Sequence, residues 1–285
     1  MSLRNVTERL NFISSLPGRI YSSVIQAKMR PLPQPHWMPH GYRGEIPRII
    51  TSIREINHTM IKTEPLSILI RDMQATGFKR WGFVIFRTVY TEESQRLWES
   101  YIEFLRASVE EYLESMELST LLKPLLEWVF IEDRETLDNA TKQHVRESFS
   151  EWTSQHSVER DGPGVEDAFQ QQTPRFRYCI HVDQKYLDTV AQYEAWADAG
   201  AEGDDKQVVY VVLDKNCHRK GEGEGEGEGR FPRIEGCSRE YTGWQYTSVY
   251  CLAHLYDKLS KQELSGYDYT RSPMVFPADG PMPTD

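Results

Sequence analysis

The 285-residue chain contains no apolar run long enough to cross a bilayer, and its first residues lack the apolar core of a secretory signal. The expectation is therefore a protein with no membrane partner, cytoplasmic in location. It also lacks a basic stripe: the formal net charge is -10, which argues against a nucleic-acid partner. Its four cysteines, Cys179, Cys217, Cys237 and Cys251, form no C-x-x-C pair, so free thiols and no metal centre are expected. Cys217 and Cys237 flank one loop, and a disulfide or a pinched metal there is the minor reading. No glycine-rich loop follows the first strand-like segment, where "RTVYTEES" stands instead. The dinucleotide fingerprint is absent and no cofactor is expected.

The hydrophobic fraction is 39%, low enough to imply long polar loops around a real core, whereas aromatics reach 12% and fall in periodic runs. Residues 1–47 read as a basic, proline-rich arm. Within residues 1–44, Arg4, Arg9, Arg19, Lys28, Arg30 and Arg43 face only Glu8, and Pro31, Pro33, Pro35, Pro39 and Pro47 prevent helix. The Arg and Ser content of the arm loosely resembles a mitochondrial presequence, so a mitochondrial location is the alternative. Residues 48–260 read as a single domain and 261–285 as a loose proline-rich tail. The run "GEGEGEGEG" at 221–229, within an insertion at 216–236, combines maximal backbone freedom with mutual repulsion.

Within the domain, helical spacing appears at Ile49, Ile53, Ile56 and Met60, and again at Leu66, Leu69, Ile70 and Met73, with Gly77 suited to the second exit. "WGFVIFRTVY" from Trp81 is apolar on both faces and reads as a central strand. Residues 92–115 form the clearest helix, with Trp98, Tyr101, Ile102, Leu105, Val109, Tyr112 and Leu113 in one stripe. Residues 126–133 read as a second strand, and a helix follows from about Asn139. Residues 154–173 read as an irregular loop, hence a candidate lid. "RFRYCIHVD" (175–183) reads as a third strand, with Asp183 capping the next helix. "QVVYVVLD" (207–214) and "GWQYTSVY" from Gly243 are further strands.

The order strand, helix, strand, inserted helix, strand predicts an α+β protein. Its expected core is a ferredoxin-like split β-α-β sheet, the third strand lying between and antiparallel to the first two. The alternative is a doubly wound α/β sheet. The first arrangement would gather Arg87, Asp133 and Arg177, with Arg175 and Glu132, at one end. There they could hold a small anion in bidentate fashion. An ion-pair network that only holds the sheet edge together is the more economical reading of the same residues. Cys179, His181 and Asp183 form a weaker second cluster, since a mid-strand thiol is usually inert. An open sheet face would allow a homodimer.

Three blocks, "RWGFVIFRTVY", "EDRETLDNATKQHVRESFSEW" and "RFRYCIHVDQKYLD", together resemble a large group of proteins from filamentous fungi to which no activity is assigned. The resemblance spans roughly residues 80 to 250 and implies a fungal source, but no catalytic residue. The functional expectation is thus a protein that binds a small anionic molecule, in a biosynthetic or accessory role, its status as an enzyme open. The alternative is an interaction module that docks through the basic arm and the Gly-Glu run.

Overall fold

The computed structural model describes residues 66–201, 206–217, 231–266, 269–277 and 282. The basic arm, the predicted helix at 49–60 and the Gly-Glu run lie outside the described residues. Strand β1 (Val84–Arg87) is buried throughout. It is preceded by helix α1 (Ser67–Thr76), which ends at Gly77 in the left-handed region, its N–H bonded to the Met73 carbonyl as the sequence suggests. Helix α2 (Glu92–Ser115) starts where Thr91 accepts a hydrogen bond from the Ser94 N–H and runs the full length its apolar stripe predicts. Strand β2 (Val129–Ile131) follows, and then helix α3 (Lys142–Ser154), capped by Thr141. Strand β3 (Tyr178–Val182), helix α4 (Gln184–Asp198) and strands β4 (Val209–Asp214) and β5 (Trp244–Ser248) complete the predicted series. Helix α5 (Leu252–Leu259) follows β5.

The six strands form one mixed sheet in the order β2-β1-β3-β4-β5-β6, where β6 is Val275–Phe276. This overturns the ferredoxin-like order. Strand β1, not β3, sits between its neighbours, and β3 runs parallel to it, with Phe86 opposite His181 and Arg87 opposite Val182. Strands β1 and β2 are parallel as expected. The antiparallel pairs are β3-β4 and β4-β5. The tail is not wholly loose, since β6 adds parallel to β5 through Tyr246 and Val275.

Adjacent strand residues point to opposite faces, and β1 displays this directly. Phe86 meets Phe149 of α3 edge to face at 6.1 Å. Arg87 lies over Trp98 of α2 at 5.3 Å. Helices therefore cover both faces of the parallel half, as the doubly wound alternative requires for those three strands only. Helix α4 packs alongside α2. The core holds Trp81, Phe83, Tyr101, Phe149 and Tyr210, all essentially inaccessible. Each such side chain contributes about 1.5–3 kcal/mol on burial.

Two further segments depart from expectation. Residues 154–173 are not an irregular lid. They fold into two short helices, Val158–Asp161 and Val165–Gln170, whose Val165 and Ala168 pack with Phe78 and Phe176. Gly164 makes this possible: its φ is +84°, and a Cβ there would lie 2.4 Å from the Phe78 nitrogen. The third strand also begins later than predicted, because Pro174–Arg177 form a helical turn.

Candidate functional site

In a sheet whose strand order reverses, the loops leaving the carboxyl ends of the parallel strands diverge and open a crevice. Here that place is the end of β1 and β3. A cleft of about 310 Å³ lies there, lined by Thr88 and Val89 after β1, Asn139 and Ala140 after β2, and Asp183, Gln184 and Lys185 after β3. The three loops are stitched together by backbone bonds. Thr88 donates its N–H to Val182 O at 2.9 Å, and Asn139 donates to Thr88 O at 2.9 Å. Asn139 adopts φ 58°, a conformation that asparagine tolerates better than most residues.

Behind the cleft, Thr88 Oγ1 donates to Val182 O at 3.1 Å and lies 2.9 Å from His181 Nε2. With its one proton committed to the carbonyl, the hydroxyl accepts from Nε2–H, which places the imidazole proton on Nε2. His181 is buried and its Nδ1 makes no hydrogen bond. Burial, reinforced by the positive charge of Lys142, lowers its pKa to about 3. The ring is neutral at physiological pH and far too weak a base to serve as a general base there.

Asp183 occupies the N-cap position of α4 in extended backbone, yet its side chain makes no capping bond, contrary to expectation. Its Oδ1 has no partner. Burial raises its pKa, while Lys142, the N–H groups of Lys185 and Tyr186, and the Lys185 charge pull it back. In the first turn of α4, the N–H groups of Gln184 and Lys185 lack intrahelical acceptors. Lys185 lines the cleft while its Nζ donates to Tyr246 Oη at 3.2 Å. The arrangement presents a carboxyl inclined to keep its proton, helix N–H donors and a lysine.

The residues singled out from sequence are dispersed. Arg87 is buried at the carboxyl end of β1, its guanidinium bonded to Val89 O at 2.8 Å, Gln95 at 2.8 Å and Glu132 at 3.1 Å. Asp133 is exposed and caps the turn at Arg134–Leu137 through Glu135 N and Thr136 Oγ1. Those bonds, led by the Thr136 hydroxyl, lower its pKa. Arg177 lies before the start of β3, paired with Asp214 at 3.4 Å and Glu263 at 3.1 Å. Because β1 and β3 are parallel, Arg87 and Arg177 stand at opposite ends of the sheet, more than about 13 Å apart along the strand. The trio is not assembled.

Of the second cluster, Cys179 is buried mid-strand and burial pushes its thiol well above the ordinary range, so it is inert. His181 and Asp183 do meet the cleft region, but as a buried neutral ring and a lining carboxyl rather than as a base and its orienter. Among the described residues no group of three His, Cys, Asp or Glu is placed to hold a metal, and no helix is long and apolar enough to cross a membrane. Sequence reasoning missed Thr88, Asn139, Gln184 and Lys185. Their signal was positional: Thr88 directly follows β1, Asn139 lies shortly before α3, and Gln184 and Lys185 open α4.

No family model, curated protein or solved structure matches the chain.

Proposed function

We propose that the protein binds a small anionic molecule, headed by a carboxylate or phosphate, in the cleft at the carboxyl ends of β1 and β3. The observation that carries this reading is the Asp183 carboxyl lining that cleft at the start of α4, whose buried Oδ1 has no hydrogen-bond partner. A protonated carboxyl can donate to an anion. The first turn of α4 supplies backbone donors and a favourable dipole, and Lys185 supplies charge. The neutral His181 and the inert Cys179 favour binding over turnover. Kinship with the filamentous-fungal proteins and an accessory biosynthetic role belong to the same proposal. The docking alternative falls on residues outside those described. Among the described residues, Val158 and Met274 are the exposed large hydrophobic side chains, which gives an interaction face no support.

The test is an NMR titration of the full chain with inorganic phosphate and with small mono- and dicarboxylates. Amide shifts should concentrate at residues 88–89, 139–140 and 183–185. Saturating shifts elsewhere, or none with any of these anions, would overturn the reading. Binding should also weaken as pH rises through the raised pKa of Asp183, because the ionised carboxylate repels the ligand. The charged and titratable groups acting on Asp183 are Lys142 and Lys185, with the phenols of Tyr101 and Tyr186 nearby. Asp183→Asn should flatten that pH dependence.

A further inference from the structure

The cleft wall is divided by chemistry. Val89, after β1, and Ala140, before α3, line it with apolar side chains, and both also pack in the main hydrophobic core. The opposite segment is polar: Asp183, Gln184 and Lys185. Much of the remaining polar lining is already committed. The Thr88 hydroxyl serves Val182 O and His181, and Gln184 Nε2 donates to Asp188 Oδ1 at 2.7 Å. Asp183 and Lys185 are the titratable groups of the lining.

Lys185 carries the one positive charge among the lining residues. Its ammonium donates to Tyr246 Oη at 3.2 Å and lies 5.1 Å from the centre of that ring. Among the described residues no carboxylate pairs with it. The cations nearby are spoken for: Arg87 pairs with Glu132 and Lys142 with Glu235. No arginine lines the cleft, so the bidentate fork that suits phosphate is missing from its wall.

We propose that the ligand of the cleft is a short aliphatic monocarboxylate, its carboxylate held between Asp183 and Lys185 and its alkyl chain laid against Val89 and Ala140. The proposal rests on the cleft reading above and names the ligand class of that same site. A single ammonium balances a single negative charge, whereas a phosphate dianion would leave one charge unmatched. Phosphate also presents oxygens in every direction, and some would face Val89 and Ala140 without partners. A carboxylate on a short chain is polar at one end and apolar at the other, as the cleft is. The volume of about 310 Å³ stands at the small end of ligand pockets, which suits a molecule of few atoms.

The test is an NMR titration of the full chain with acetate, propionate, butyrate, butyramide and inorganic phosphate at fixed pH and ionic strength. Affinity should rise about two- to four-fold with each added methylene from acetate to butyrate. Butyramide, which has the same chain without the charge, and phosphate should bind about ten-fold or more weakly than butyrate. Lys185→Met should weaken butyrate by about ten-fold and remove its advantage over butyramide. Phosphate as tight as butyrate at residues 88–89, 139–140 and 183–185, or no gain from acetate to butyrate, overturns this inference and leaves the cleft reading standing. Unchanged butyrate affinity in Lys185→Met overturns it as well. Absence of binding by all five compounds, or butyramide as tight as butyrate, overturns both. If Lys185→Met fails to fold, Lys185→Gln removes the same charge.

Discussion

The two edges of the parallel half of the sheet treat charge differently. At the amino edge, Arg175 is buried and bonds Gly82 O at 3.2 Å as well as the Glu127 carboxylate. Arg80 shares that glutamate at 2.9 Å and bonds Arg160 O at 3.0 Å. Arg160 in turn pairs with buried Asp161 at 2.8 Å and lies 4.1 Å over Trp152. The short helices at 158–161 and 165–170 close over this network. At the carboxyl edge the loops diverge instead, and a carboxyl oxygen and a ring nitrogen face no partner. Unpartnered atoms occur at the amino edge too, among them Arg175 Nε and Arg177 Nε, but each belongs to a guanidinium that is ion-paired through another nitrogen. Arginine clusters attract attention in a sequence, yet here they close an edge. The candidate cleft lies instead where a buried carboxyl oxygen has no partner.

The sharpest way to break this comparison is at the amino edge. Arg175→Ala should cost about 2–4 kcal/mol, because it removes a fully buried side chain together with its bonds to the partly exposed Glu127 and to the Gly82 carbonyl, which is left unsatisfied. Urea unfolding measures it. A cost under about 1 kcal/mol would mean that the amino-edge network is not structural, and the contrast would fail.

A second contrast concerns two aspartates at helix starts. Asp257 of α5 accepts the N–H groups of Ile68 and Leu69 at 3.0 and 2.8 Å, and so caps α1 from outside, where Leu66 offers no side-chain cap. Burial nevertheless raises its pKa to about 6, against those two bonds. The folded value exceeds the unfolded one, so its contribution is fully present below about pH 4 and is lost as pH rises through about 6. Asp257→Ala should cost about 1.5–3 kcal/mol at low pH through the two abandoned donors. Asp257→Asn keeps an acceptor without ionising. It should therefore be more stable than wild type at pH 7 by about 1–3 kcal/mol, the advantage vanishing below pH 4. Thermal melts across that range would read both effects. A flat difference between wild type and Asp257→Asn would sink the argument from burial.

Local pattern carried the elements but not their order. Helix α2 was readable from end to end because seven apolar positions fall in one stripe. Strands β1 and β4 were readable because they are apolar on both faces. The direction of β3 was misread for a physical reason. An antiparallel neighbour needs only a hairpin, whereas a parallel one needs a crossover, usually helical. The helix between β2 and β3, treated as an insertion, was the sign of that crossover. Once β3 runs parallel to β1, Arg87 and Arg177 separate, and the expected anion pocket separates with them. Residues 154–173 read as irregular because helices of four and six residues are too short to show a period. The ion pair between Lys142, at the start of α3, and Glu235, in the hairpin Ile234–Cys237, was beyond local reading, since a glutamate in a left-handed turn announces neither its partner nor its distance.

The smallest effect is the most discriminating. Asp183 stands where a helix cap belongs, and if it capped α4, Asp183→Ala would cost about 0.5–2 kcal/mol. It makes no capping bond, and burial holds its pKa above the ordinary range. The sign is that of Asp257: the carboxyl is tolerated best while protonated and becomes a liability as pH rises through its raised pKa. Asp183→Ala should therefore leave stability unchanged or slightly improved at pH 7, while abolishing the anion-dependent NMR shifts at residues 183–185. Urea unfolding at pH 7 decides between these. A loss of cap size would make Asp183 a structural residue like Asp257, and the carboxyl edge would lose the group that distinguishes it.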